Sequence, residues 1–297
     1  MTAYGLQALS LNGSALVGVR GNVLQRQNKI DSDGADGTMS ETYHTMLQRA
    51  SVATWDTIAA KVMLTACGAS SLTVPIPFAA LNGTTGAVLA YALANNQGPG
   101  YAAGSVHETR TALNGVAVME SFKWTLGSFA TMGMKLYPIS LNGTSDPLTQ
   151  TDTAALPAQS FNQQGYTLTG LTLDGVSVIN CNSLSLNVDH KFDFDWLLGC
   201  PYPTAVTGGG PKGRIGIRLE AEVRDVSVPE GVGAVSAVFT AAAQGGTLGS
   251  STITWTLNAG WTLEDSVQSP LSSPSSKKLI IRPVADSTHS ALSWAVT

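Results

Sequence analysis

The residues best suited to chemistry cluster in one short stretch, Asp189, His190, Asp193 and Asp195, which holds the acid and base types used for proton transfer. Their spacing argues against that use. From Leu184 to Trp196 the chain alternates apolar and polar residues, so on a strand Leu184, Leu186, Val188, His190, Phe192, Phe194 and Trp196 share one face. Asp189, Asp193 and Asp195 fall on the other, which separates the imidazole from all three carboxylates. The pattern implies one long half-buried strand with a core or edge histidine. Its acidic stripe is a candidate channel-facing surface.

A second acidic group, Asp31, Asp33, Asp36 and Glu41, begins like a calcium loop. Such a loop needs oxygen ligands at positions 1, 3 and 5, Gly at 6 and Glu at 12. Here Ala35, Asp36 and Thr42 occupy positions 5, 6 and 12, so the segment reads as a solvated, turn-rich loop. His44, His107 and His289 lack the close His or Cys partners of a zinc site. There is no Gly-x-Ser-x-Gly elbow, and Gly208 to Gly213 lacks the spacing of a phosphate loop. No catalytic residue, metal or cofactor is expected. The Asn-Gly-Ser/Thr triplets at Asn12, Asn82 and Asn142 read as turns. Cys67, Cys181 and Cys200 are odd in number and widely spaced, as buried or half-buried thiols would be.

Composition narrows the function classes further. Of 297 residues 43% are hydrophobic and 12% charged, enough apolar material for a large core and about half the usual charge. Sixteen Lys and Arg against 20 Asp and Glu give a net charge of −4 and no general attraction for phosphate. No window approaches the ~18 apolar residues of a membrane helix, and the first eleven residues lack the basic and apolar regions of a secretory leader.

The elements that would position these residues come in two sets. Tyr4 to Asp31 aligns with Tyr166 to Asp193 at one offset, pairing Leu9 with Leu171, Leu11 with Leu173, Gly13 with Gly175 and Leu24 with Leu186. Gly86 to Gly98 aligns with Gly233 to Gly245 at an offset of 147, with seven of thirteen positions identical where chance gives about one. Trp124-Thr125-Leu126 matches Trp255-Thr256-Leu257 at 131. Each copy opens with a strand, an Asn-Gly or Asp-Gly hairpin turn and a second strand. Val88, Tyr91 and Ala92, like Val235, Val238 and Phe239, stand at helical spacing, which predicts a helix in each copy. Another helix is predicted over Thr54 to Ala66 with Thr54 as N-cap. The fold class is therefore mainly β (α+β): two tandem antiparallel β-sandwich or β-barrel-like domains, each flanked by a helix.

In element order, duplication and composition the chain resembles phage tail tube proteins, some of which carry two fused tube domains. The resemblance spans roughly residues 4 to 137 and 166 to 267, and no single motif carries it. It implies a first domain over 1–150 with insertions, a linker over 151–165 within the polar stretch Pro138 to Gly165, and a second domain over 166–267. Residues 268–297 would form a linker and C-terminal arm containing a strand, Lys277 to Arg282. It further implies a structural virion protein, assembled in the host cytoplasm, that forms stacked homotrimeric, pseudo-hexameric rings conducting DNA without catalysis. Asp31, Asp33, Asp36 and Glu41 would match the inter-ring loop by position. Asp189, Asp193 and Asp195 would face the channel. Partners would be other copies, the tape measure protein and other tail proteins, with transient DNA passage and no membrane. The nearest rival is a tail-tip or baseplate hub ring. A different class is a carbohydrate-binding or adhesive β-sandwich using Trp55, Trp124, Trp255 or Trp261 as sugar platforms, and a hydrolase is the least supported.

Overall fold

The computed structural model describes all residues except 1–2, 17–19, 34–42, 73, 95–106, 153–164, 209–214, 225–233, 245–250 and 269–275. The first half comprises β1 (Ala3–Leu11), β2 (Ser14–Leu16), β3 (Arg20–Asp33), β4 (Tyr43–Thr57), α1 (Ala60–Cys67), β5 (Phe78–Ala80), β6 (Ala87–Ala94), β7 (His107–Ala112), β8 (Gly115–Thr125), β9 (Thr131–Pro138) and β10 (Thr149–Asp152). The second comprises β11 (Gly165–Leu173), β12 (Val176–Ser177), β13 (Cys181–Asp189), β14 (Asp193–Asp195), β15 (Ala205–Thr207), β16 (Gly216–Val223), β17 (Ala234–Gln244), β18 (Thr252–Gln268), β19 (Ser276–Pro283) and β20 (Leu292–Val296). The fold is mainly β and its strand pairs are antiparallel, as the alternating patterns require.

Both halves repeat one strand plan. A first layer runs β10-β7-β6-β1-β2, and its counterpart runs β20-β18-β17-β11-β12. A second layer runs β3-β4-β9-β8, and its counterpart β13-β16-β19-β18. The long β18 serves both layers of the second half, where the first half uses β7 and β8 with a break at Leu113 and Asn114. Apolar residues of both layers meet in one core: Leu9, Leu11 and Leu89 with Trp55, Met134 and Leu136, then Leu171, Leu173 and Phe239 with Leu186, Leu219 and Ile281.

The correspondence extends to detail. β1 and β11 have equal length, with ends that differ by 162, and their ladders shift register between Leu6 and Ala8 and between Leu168 and Gly170. Asn12 (φ 48°) with Gly13 (φ 85°) and Asp174 (φ 50°) with Gly175 (φ 80°) form matching hairpin turns, whose two left-handed positions account for the residue types. Gly115 pairs with Pro138 and Gly260 with Pro283; a Cβ on either glycine would lie 2.1 Å from the carbonyl oxygen of the preceding strand residue, Tyr137 or Arg282. Asn142 and Asp286 each close a turn by accepting two backbone N–H bonds, from Thr144 and Ser145 and from Thr288 and His289.

Several expectations need correction. The two helices expected at Val88–Ala92 and Val235–Phe239 are strands β6 and β17: Val235, Ala237, Phe239 and Ala241 are buried and their neighbours are less so. Alanine at core positions concealed this alternation, because it is also the best helix former. Their strand registers relate Ala87 to Ala237, an offset of 150 instead of 147. Trp124 and Trp255 are not counterparts, since β8 pairs with β13 and β9 while this part of β18 pairs with β17 and β20.

Thr54 belongs to β4. The helix starts at Ala60 and buries Ala60, Met63, Leu64 and Cys67, one stripe at helical spacing. The described residues 276–297 form no separate arm: β19 pairs with β16 and β18 on its two sides, as the apolar run Leu279 to Ile281 favours, and β20 pairs with β18. The Pro138–Gly165 stretch contains β10, paired with β7. Finally, the long strand expected through Trp196 ends at Asp189. Lys191 (φ 49°) turns the chain, and β14 pairs with β15 in a separate hairpin.

Candidate functional site

The halves are not beads on a linker. β8 pairs with β13 from Ser121 to Thr125 and from Ser183 to Asn187, fusing the two four-stranded layers edge to edge. On the core side Leu184 and Leu186 are buried next to Trp124 and Phe122. The Phe122 ring reaches into the second half, 5.5 Å from Trp255 and 5.9 Å from Phe239. Trp124 Nε1 donates to Thr167 Oγ1 at 3.0 Å. Elsewhere Trp294 Nε1 donates to the Gly68 carbonyl and Lys61 Nζ to Ser251 Oγ, which ties α1 to the second half. Arg49 and Ser140 donate backbone N–H bonds to the carbonyls of Pro201 and Pro203.

The result is one eight-strand layer, β3-β4-β9-β8-β13-β16-β19-β18, whose polar face is open across β8, β13 and β16 and covered at Tyr137 by Phe192 and Phe194. Across it run rows of paired residues: Thr125, Ser183, Glu222 and Lys278; Lys123, Ser185 and Glu220; Ser121, Asn187 and Arg218. A shallow depression of about 220 Å³ lies along the first two rows. Arg218 bridges Glu220 at 3.1 Å and Lys135 bridges Glu120 at 3.7 Å, so charges of both signs compensate one another. Hydrogen bonds from Asn182 and Ser276 hold the Glu222 carboxyl below its ordinary range. No basic stripe runs along these rows.

Asp189 ends β13, exposed and bridged by Lys191 Nζ at 2.8 Å. Asp193 and Asp195 lie apart from it, exposed on β14, whose Phe194 packs on Tyr137 at 5.4 Å between ring centres. The three aspartates thus share a region but not one strand. His190 is 5% exposed and T-shaped against Tyr137. Burial, helped by the Lys135 charge, lowers its pKa to about 4, so it is a neutral core residue.

Of the second acidic group, Asp31 and Asp33 lie on the β3 backbone, while Asp36 and Glu41 fall outside the described residues. β3 and β4 pair from Arg20 and Asp56 out to Asp33 and Tyr43, but β9 meets β4 only from Ala53 to Thr57. The remainder is a two-stranded ribbon, a feature that period-two patterns alone do not reveal. Among the described residues no three His, Cys, Asp or Glu side chains gather as a metal site would require. Trp55, Trp124 and Trp255 are buried, which removes them as sugar platforms; the Trp261 side chain lies outside the described set.

Neither a protein-family model nor a curated protein matches the chain.

Proposed function

We propose that the protein is a structural virion component whose copies close into rings that stack as a phage tail tube, with the open face of the eight-strand layer lining a channel for DNA. The observation that carries this reading is the β8–β13 joint. It turns two similar halves into consecutive segments of one wall, the arrangement a ring repeats by rotation. On this reading the halves descend from one duplicated unit, supported by their matched bulges, turns and Gly–Pro crossings.

Magnitudes favour three copies. Three layers give ~24 strands, and at ~4.8 Å per strand with a ~40° tilt the wall is ~48 Å across, leaving ~35–40 Å clear of side chains. Two copies would leave ~20 Å, no wider than duplex DNA itself. Ser, Thr and Asn among compensated charges suit a conduit, since a basic wall would hold phosphate through counterion release. Asp193 and Asp195, beside this face at the Tyr137 end, would add repulsion, and Asp189 less because of Lys191. The β3–β4 ribbon would reach the next ring.

Negative-stain microscopy of the purified protein tests this: stacked rings with an open channel are expected. Single rings that never stack would favour a tail-tip or baseplate hub, and a dispersed monomer would contradict both.

A further inference from the structure

The β8–β13 joint has a counterpart that the chain leaves open. Gly115 with Pro138 and Gly260 with Pro283 place β8 and the end of β18 in equivalent positions, and the shared offset does the same for β13 and β3. Within the chain Ser121, Phe122 and Lys123 pair with Asn187, Leu186 and Ser185. Among the described residues their counterparts, Ser266, Val267 and Gln268 on β18 and Gln25, Leu24 and Val23 on β3, have no such partner. β3 ends its sheet with β4 alone beside it, and beyond Trp261 β18 has only β19 among the described residues.

Burial records the same vacancy. Leu186 is fully buried beneath its neighbours, while its counterpart Leu24 is only half-buried and Gln25 is exposed. Two unlike open edges, each matching one side of an existing joint, call for a head-to-tail contact.

We propose that the end of β18 pairs antiparallel with β3 of a second copy of this chain, in the register Ser266 to Gln25, Val267 to Leu24 and Gln268 to Val23. This rests on the ring reading and adds to it the strands and the register. The contact would reproduce between chains the ladder that β8 and β13 form within one, and it would remove both exposed edges.

Paired cysteines test it, with Cys181 and Cys200 replaced by Ser. Antiparallel neighbours lie ~4.5–5.5 Å apart between Cα atoms, within disulfide reach, whereas a one-residue slip moves one partner to the opposite face. Under mild oxidation Gln25→Cys with Ser266→Cys is expected to give covalent oligomers ending at three chains, at least tenfold more than Gln25→Cys with Val267→Cys. Ser121→Cys with Asn187→Cys should close within single chains and serves as the reference. Rings that form by microscopy without the Gln25–Ser266 cross-link would overturn the register and leave the ring intact. A monomer in which only the reference pair closes would overturn both. Disulfide dimers from Gln25→Cys alone would indicate β3 pairing with itself and overturn the proposal.

Discussion

Phe122 belongs to a first-half strand, yet its ring packs on Phe239 and Trp255 of the second half. Removing it should therefore destabilise both halves together: Phe122→Ala is expected to cost ~3–5 kcal/mol in urea unfolding while keeping a single transition. His190 gives a second handle. The unfolded chain takes up its proton near pH 6.5, whereas the buried ring resists until about 4. Stability should therefore fall as pH drops through that interval, by ~3 kcal/mol once below it, and His190→Asn should flatten the slope. Gly260→Ala should also destabilise by ~1–3 kcal/mol or more, because the contact it creates is with backbone that cannot swing away. Burial pushes the Cys67 and Cys181 thiols up to about 12, so alkylation of the folded protein at pH 8 should spare both.

Local strands were the most legible elements. The Asn12-Gly13 and Asp174-Gly175 turns, the alternation from Leu184 to Val188 and the strand at Lys277–Arg282 follow from spacing and turn chemistry, and the structure has all of them. The failures have physical causes. β6 and β17 fill their core positions partly with alanine, which erases the contrast between faces. β13 stops because Lys191 adopts a left-handed backbone, a choice its side chain does not announce. The β8–β13 ladder joins residues about 60 apart, and no local period specifies such a partner. At this scale the β3–β4 ribbon is the element to perturb. Asp31→Lys with Asp33→Lys should shorten tubes seen by microscopy while rings persist, if the ribbon makes the contact between rings.

At the scale of the whole molecule, pairing between halves makes one continuous layer in which, among the described residues, β3 and the end of β18 each keep an unpaired edge. An antiparallel sheet with exposed edges is an aggregation hazard unless something covers them, and ring closure by identical copies covers both at once. Asp189, Asp193 and Asp195 were legible as exposed positions, but the face with the strongest claim to a channel was not, because its Ser, Thr, Asn and compensated charges come from four strands, β8, β13, β16 and β19, that only the tertiary fold brings into rows. The most direct test of the account is the copy number of the closed particle, measured by native mass spectrometry of assembled protein alongside image symmetry. The account predicts the mass of three 30.7 kDa chains per ring around an open channel. A two-fold symmetric dimer, or a single chain that stays monomeric at high concentration, would contradict it.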